Sequence, residues 1–268
     1  MTGAAHGRLY LVPNTLDFGA PGTPPDLQDV LPLGVIRTAA RLTHWVAENA
    51  KTTRAFLKRV DVVHALAVPI QAMSIVELPR AQKGSQNGSQ KGPQKGPPVA
   101  APTPLDALLA PALAGHDIGL ISEAGLPAVA DPGAALVQCA HALGVVVIAL
   151  PGPSSLLLAL AASGLNGQSF AFVGYLPVGQ SERGVRIREL EALSRRAAQT
   201  QLMIETPYRN AALMAALTAH LQPATQVSVS CGLTLADGFT RTDTVSGWQA
   251  RPATLPADVP VVFSLLAR

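Results

Sequence analysis

Several things are scarce in this sequence of 268 residues. Charged side chains make up only 14% and aromatic ones only 4%, the first well below the usual quarter. So few aromatics make a poor surface for stacking on nucleic-acid bases. There are two cysteines, Cys139 and Cys231. Both sit in apolar runs without metal-ligand spacing, which excludes a disulfide scaffold and reads as two reduced core thiols in a cytoplasmic protein. The six histidines are scattered, and no metal site is expected. No G-x-G-x-x-G follows a strand, and neither a P-loop, a G-x-S-x-G elbow nor an H-E-x-x-H occurs, so dinucleotide, nucleotide-triphosphate, serine-hydrolase and zinc-protease readings lose support. The N-terminus lacks a charged-then-apolar pattern, so no secretory leader is read there. The apolar stretch Val145 to Leu165 is broken by Pro151-Gly152-Pro153-Ser154-Ser155, which ends a strand rather than crossing a bilayer. No membrane association is expected.

What the chain has is apolar bulk, 48%, in a length that suits one large domain or two small ones. The net charge is +3, yet residues 80–104 hold Arg80, Lys83, Lys91 and Lys95 and no acid. Without that +4 the remainder is at −1, so net charge argues little for a nucleic-acid partner. The same segment, with its run QKGSQNGSQKGPQKGPP, is low-complexity and without apolar period. It reads as a solvated loop or linker inserted in the first half, or as a cationic lid over an anionic substrate.

Short β-rich runs alternate with helical patterns, which predicts βα units and mostly parallel or mixed sheets. Strands are expected at Arg8 to Pro13, Thr43 to Glu48, Ile118 to Ser122, Val145 to Leu150, Phe170 to Tyr175, Gln201 to Glu205, Gln226 to Ser230, Thr240 to Ser246 and Val261 to Leu266. Helices are expected at Leu33 to Leu42, Thr53 to Val60, 105 to 115, Ala134 to Leu143, Leu156 to Ser163, Ser181 to Gln199 and Asn210 to Leu221. Ser181 is the expected cap of the long helix, with Glu182 in its first turn. The arginines of that helix, Arg183, Arg186, Arg188, Arg195 and Arg196, interleave with Glu182, Glu189 and Glu191. They fit an ion-paired solvated face or a contact to RNA phosphates. Two α/β halves are expected, 1–152 and 153–268.

Two strand-to-loop turns stand out, Leu120 to Gly133 (LISEAGLPAVADPG) and Pro151 to Ser155 (PGPSS). In open parallel sheets ligands sit outside the carboxyl ends of strands. Gly125, Gly133 and Gly152 let backbone come close to a ligand, and the prolines fix the loop shape. Read from the residues alone, these are either plain turns or a cradle of backbone N–H and C=O groups suited to a nucleoside cofactor.

The two turns resemble those of the tetrapyrrole methylase superfamily, most closely the branch containing the 16S ribosomal RNA cytidine-2′-O-methyltransferases. That branch shows a V-P loop after its first strand, an acidic E-D-T-R turn, L-I-S-D-A-G-T-P-x-x-S-D-P-G, P-G-P-S-A, G-F-L-P and E-S-P-H-R. This sequence has, in the same order, Leu11-Val12-Pro13, Glu48 with Thr53-Arg54, Leu120 to Gly133, Pro151 to Ser155, Gly174 to Pro177, and Glu205-Thr206-Pro207-Tyr208-Arg209. The departures are the first loop from Asn14 to Gly19, the turn Glu48-Asn49-Ala50-Lys51 without its Asp, Glu123 and Leu126 for Asp and Thr, Cys231-Gly232 for Arg-Glu, and Asp258-Val259-Pro260 where a G-E pair is usual.

The resemblance implies a two-domain α/β methyltransferase that binds S-adenosyl-L-methionine, pairs as a homodimer and acts on ribosomal RNA in the cytoplasm. It implies cofactor contacts from Pro13, Ser122, Glu123, Gly125, Val129, Ser154, Ser155, Tyr175, Leu176, Glu205, Pro207, Cys231, Gly232 and Leu233. A hydroxyl acceptor gains from a general base, and Glu48 at a strand end is the candidate; its alternative role is to bond neighbouring backbone or an arginine. Two other functions stay open, methylation of a tetrapyrrole or other small metabolite, and cofactor binding without turnover.

Overall fold

The computed structural model describes residues 6–17, 24–79 and 104–268. The low-complexity run and its four basic residues lie outside them, as do Phe18 and Gly19 of the first loop. The chain divides into two compact units. One comprises Met1–Pro13 with Leu33–Pro151, the other Asn14–Pro32 with Gly152–Arg268.

The first unit is built on five strands, β1 (Arg8–Val12), β2 (His44–Ala47), β3 (Ser74–Glu77), β4 (Ile118–Ile121) and β5 (Val146–Ala149). Their order is β3-β2-β4-β1-β5 and every pairing is parallel. Parallel strands buried on both faces need near-continuous apolar runs, and β4, with all four residues buried, supplies one. On one face Leu9, Val46, Ile118 and Leu120 pack with Leu136 and Ala140. Trp45 fills the core elsewhere, its Nε1 donating to the Leu42 carbonyl at 3.2 Å. Gly119 makes room for it, since a Cβ there would meet the indole at 2.7 Å.

A four-residue helix, α1 (Leu27–Val30), falls with the second unit's stretch Asn14–Pro32. The first unit's helices are α2 (Leu33–Arg41), α3 (Ala50–Val63), α4 (Leu105–Leu108), α5 (Ala110–Leu113) and α6 (Ala134–Ala142). The single helix expected over 105–115 is therefore two short ones. Pro111, at the start of α5, has no N–H to continue the first ladder. Strand β3 has no counterpart in the sequence reading.

The second unit carries β6 (Phe170–Phe172), β7 (Thr200–Glu205), β8 (Gln226–Cys231), β9 (Phe239–Thr244) and β10 (Val261–Leu266). Their order is β6-β7-β10-β8-β9. Only β6 and β7 run parallel; β10 is antiparallel to both β7 and β8, and β8 to β9. The expectation of mostly parallel or mixed sheets holds, the first sheet being all parallel and this one mixed. Strands β8 and β9 are joined by only seven residues, too few for a parallel crossover.

Helix α7 (Ser155–Ser163) covers one face through Leu156, Ala159 and Leu160 on Leu202 and Val262. The other face meets α8 (Gln180–Ala197), α9 (Asn210–His220) and α10 (Val245–Ala250) around Met203, Phe263 and Trp248. Alternation along β7 and β10 sends Leu202 and Val262 one way and Met203 and Phe263 the other, as the two-residue period requires. Helix α8 starts one residue earlier than expected, with Gly179 at its N-cap and no side-chain cap bond. Ser181 lies inside the first turn, and Glu182 stays where its charge suits the helix dipole. Helix α10 replaces the end of the strand expected to run on to Ser246.

Candidate functional site

The strand order of the first unit decides where a ligand fits. After β1 the chain crosses to β2, on one side of the sheet; after β4 it crosses to β5, on the other. Since β1 and β4 are neighbours, their following loops leave in opposite directions and open a crevice at the carboxyl ends. That is the topological switch point where ligands of open parallel sheets sit. The loop after β1 begins with buried Pro13, Asn14 and Thr15. The loop after β4 is the turn from Ser122 to Gly133.

That turn is unusual in its backbone. Gly125, Ala128, Ala130 and Gly133 have φ of +66°, +63° to +66° for the two alanines, and +130°. The two alanines hold a left-handed conformation that costs a non-glycine residue about 1 kcal/mol or more, the kind of strain that clusters at binding sites. Gly133 is tight as well as strained, because a Cβ there would sit 3.0 Å from Leu120 Cδ2. Ser122 and Gly125 are buried, Glu123 is half-buried, and Val129 stands 46% exposed at the rim.

Carboxylates gather at these strand ends. Glu48 follows β2, and its Oε2 accepts the Glu123 backbone N–H at 3.0 Å, while its own N–H donates to the Ile121 carbonyl. The segment after β2 is thereby pinned to the turn after β4. Glu48 thus bonds neighbouring backbone. Glu77, at the end of β3, accepts the Ala50 N–H at 2.8 Å. Asn49 caps α3 through Lys51 and Thr52, and with Thr52 also hydrogen-bonds Glu123.

Asp131 is the residue the sequence reading passed over, although it stands inside the quoted D-P-G match. Burial, then the charges of Glu48 and Glu123, push its carboxyl up to about 6 against a hydrogen bond from Ser122. Burial and Glu48 push Glu123 upward too. Negative charge therefore collects here. The basic residues of the first turn of α3, Lys51 and Arg54, are exposed, and Arg54 donates to the Ala50 carbonyl. Among the described residues no three acids, histidines or cysteines converge to hold a metal.

The second unit places its expected residues at strand ends and helix starts. Ser154 is the buried N-cap of α7 and Ser155 its first residue. Tyr175 is 60% exposed, whereas the Leu176 side chain is in the core, leaving its backbone as the part open to a ligand. Glu205 ends β7, accepts from Thr206 N at 2.8 Å and holds Arg209 NH2 at 2.5 Å, so it shapes its own loop. Pro207 opens a 3-10 turn. Cys231 is a buried core residue whose thiol is pushed up by burial and Asp258. Gly232 turns at φ +60°, and Leu233 packs on the α7 cluster. Both cysteines are free.

The arginines of α8 mostly have intramolecular partners. Arg183 is buried and donates to the Val178 carbonyl, Arg186 pairs with Glu189 at 3.1 Å, Arg188 meets His220, and Arg195 donates to the Arg268 carbonyl. The ion-paired reading of that helix fits these contacts. No helix among the described residues is long and apolar enough to cross a membrane.

Compared with known proteins, residues 50–246 match the family described as tetrapyrrole (corrin/porphyrin) methylases. A protein of Mesorhizobium japonicum named ribosomal RNA small subunit methyltransferase I is 37% identical over 153 residues, 52% of this chain and 51% of that one. A Halalkalibacterium halodurans protein of the same name is 29% identical over 203 residues, 76% of this chain and 56% of that one. The chain thus spans about half the length of these relatives. Among solved structures, the methyltransferase CobJ superposes with a TM-score of 0.54 at 16% identity over 98% of this chain and 100% of its own. A Thermus thermophilus uroporphyrin-III C-methyl transferase complexed with S-adenosylhomocysteine gives 0.51 at 18% over 97% of each. These two likenesses show a shared fold.

Proposed function

The chain belongs to the tetrapyrrole (corrin/porphyrin) methylase family, and from that premise we propose that it is an S-adenosylmethionine-dependent methyltransferase whose acceptor is a ribosomal RNA 2′-hydroxyl. The carrying observation is the crevice at the carboxyl ends of β1 and β4, closed on one side by the strained, carboxylate-lined turn from Ser122 to Gly133. The relatives named ribosomal RNA small subunit methyltransferase I support the acceptor.

The residues present fit the cofactor. The turn has four positive-φ positions, a conformation in which backbone groups can face a ligand, and a gathering of carboxylates suits a positively charged one. S-adenosylmethionine supplies an already activated methyl group, so the protein's work is alignment, exclusion of water and removal of one proton. In the first unit Pro13, Ser122, Glu123, Gly125 and Val129 would hold it.

Glu48 positions the turn through the Glu123 N–H. Asp131 would take the proton of the acceptor hydroxyl as the methyl group is transferred. A carboxylate that ionises near 6 is ionised at neutral pH yet more basic than an ordinary one, which suits a general base. The protein is proposed to act as a cytoplasmic homodimer.

The test offers tritiated S-adenosylmethionine with undermethylated 30S subunits in one arm and uroporphyrinogen-like tetrapyrroles in the other. Label in 16S RNA alone is expected. Label in the tetrapyrrole alone would make the acceptor a small metabolite. Binding of the cofactor with no label in either arm, or in a cell extract, would leave a binding protein without turnover.

A further inference from the structure

The second unit holds a cavity between α8 and α9 that the residues expected to meet the cofactor do not line. We propose that it binds a phosphoryl group, as inorganic phosphate or as the terminal phosphate of a small metabolite. The inference goes beyond the methyltransferase reading and does not depend on it.

The cavity measures about 270 Å³ and is lined by Gln180, Arg183, Ala212, Ala215, Ala216 and His220. The three alanines of α9 leave depth where larger side chains would fill the groove between the helices. Its polar lining comes from the first turn of α8 and the last residue of α9. No carboxylate is among the six.

Arg183 is the centre of the site. It is 7% exposed, and arginine is almost never buried so far unless paired. The ion pairs of α8 pass it by, Arg186 taking Glu189 and Arg195 taking Glu191. Its NH2 donates to the Val178 carbonyl at 2.7 Å, and its buried Nε has no hydrogen-bond partner. Burying a guanidinium without a counter-charge is costly. An oxyanion in the cavity supplies that charge, with several acceptors in the fork geometry a guanidinium prefers.

The surroundings favour the same ligand. Nδ1 of His220 lies 3.2 Å from Arg188 NH1. Arginine only donates, so Nδ1 accepts and Nε2 carries the ring proton. The ring comes close to α8 because residue 184 is glycine, where a Cβ would meet Nε2 at 2.7 Å. Helix α8 begins without a side-chain cap bond, so its first N–H groups make a favourable end for an anion. Glu182, beside Arg183 in sequence, turns back toward Gly179 and stays out of the lining. Two arginines, one in the lining and one behind His220, match the double charge of phosphate better than the single charge of a carboxylate. The volume suits a small ion or metabolite rather than a larger ligand.

The experiment is a phosphorus NMR titration of the full chain with inorganic phosphate and with cytidine monophosphate, and thermal melts with acetate as control, all at fixed ionic strength. One phosphate per chain is expected, with Kd of about 1 mM or below, and acetate should bind more weakly. Arg183→Gln should weaken phosphate about tenfold or more. Ala215→Leu changes an exposed helical position and fills the cavity with every charge in place, so it should weaken phosphate as much while the chain still folds. Cytidine monophosphate binding more tightly than phosphate assigns the site to a terminal phosphate, and the reverse order assigns it to the free ion. No phosphate binding by the natural protein, or unchanged affinity in Ala215→Leu, overturns the proposal. So does acetate binding as tightly as phosphate. Displacement of phosphate by an RNA oligonucleotide without terminal phosphates would make the site one for an RNA backbone and overturn it too.

Discussion

A carboxylate held among other carboxylates works against the fold that holds it. Asp131 ionises near 6 in the folded chain because burial and Glu48 oppose its charge, and near 4 in an unfolded one. Its folded value is the higher, so its protonated form favours folding below about pH 4, and that contribution is lost as pH rises through 6. Asp131→Asn, neutral at every pH, should therefore melt higher than the natural protein at pH 7 and equally at pH 4. After allowance for its partial exposure the gain at pH 7 is roughly 1–2 kcal/mol. Thermal melts across that range read it directly; a variant less stable at pH 7 would mean Asp131 is paired with a cation. Stability given up at a strained, charged turn is a common mark of a binding site. Asp131 was legible in the sequence as the Asp of a D-P-G match, but its importance was not. Its pKa is raised first by burial and then by Glu48, 83 positions earlier in the chain, and only the pairing of β2 with β4 brings those two segments together.

At the scale of elements, most helices and strands follow from periodicity and punctuation. Gly144 and Gly164, at φ of +69° and +68°, close helices at the places where the sequence has them. The misses have local causes. Strand β3 is four residues long, has a serine and a glutamate at its ends and follows a 3-10 turn, which leaves no period to detect. Helix α10 contains Gly247, a residue that argues against a helix interior. It is tolerated because a Cβ there would collide with the Asp243 carboxylate. The direction of a strand is not written in its alternation, so the antiparallel pairings of β10 could not be read from composition.

One element ties fold to site. Helix α3 starts at Asn49, whose Oδ1 accepts from Lys51 and Thr52 and which also bonds Glu123. Asn49→Ala should cost about 1 kcal/mol of stability for the lost cap and should weaken cofactor binding as well. Asn49→Asp, which keeps the cap, should restore stability more fully than binding, since it adds a charge beside Glu123. Denaturant melts and calorimetry on the two variants separate these effects; equal recovery of both would remove Asn49 from the site.

For the whole molecule, each unit has its own sheet and its own core, and the ordered set of motifs was what made the family legible from sequence. The same motifs placed the Ser122 to Gly133 turn at a strand end, and the strand order makes that end the one proposed for the cofactor. The pairing of two chains is open to a direct reading. Sedimentation equilibrium is expected to give twice the mass of 27.7 kDa at micromolar concentration, and a monomer would remove the homodimer from the account.

The most direct measurement for the central claim is a crystal structure grown with S-adenosylhomocysteine. The account predicts the nucleoside against the backbone of Ser122 to Gly133, with its sulfur on the side of Asp131. Density for the ligand anywhere else on the protein, or none at saturating concentration, would contradict it.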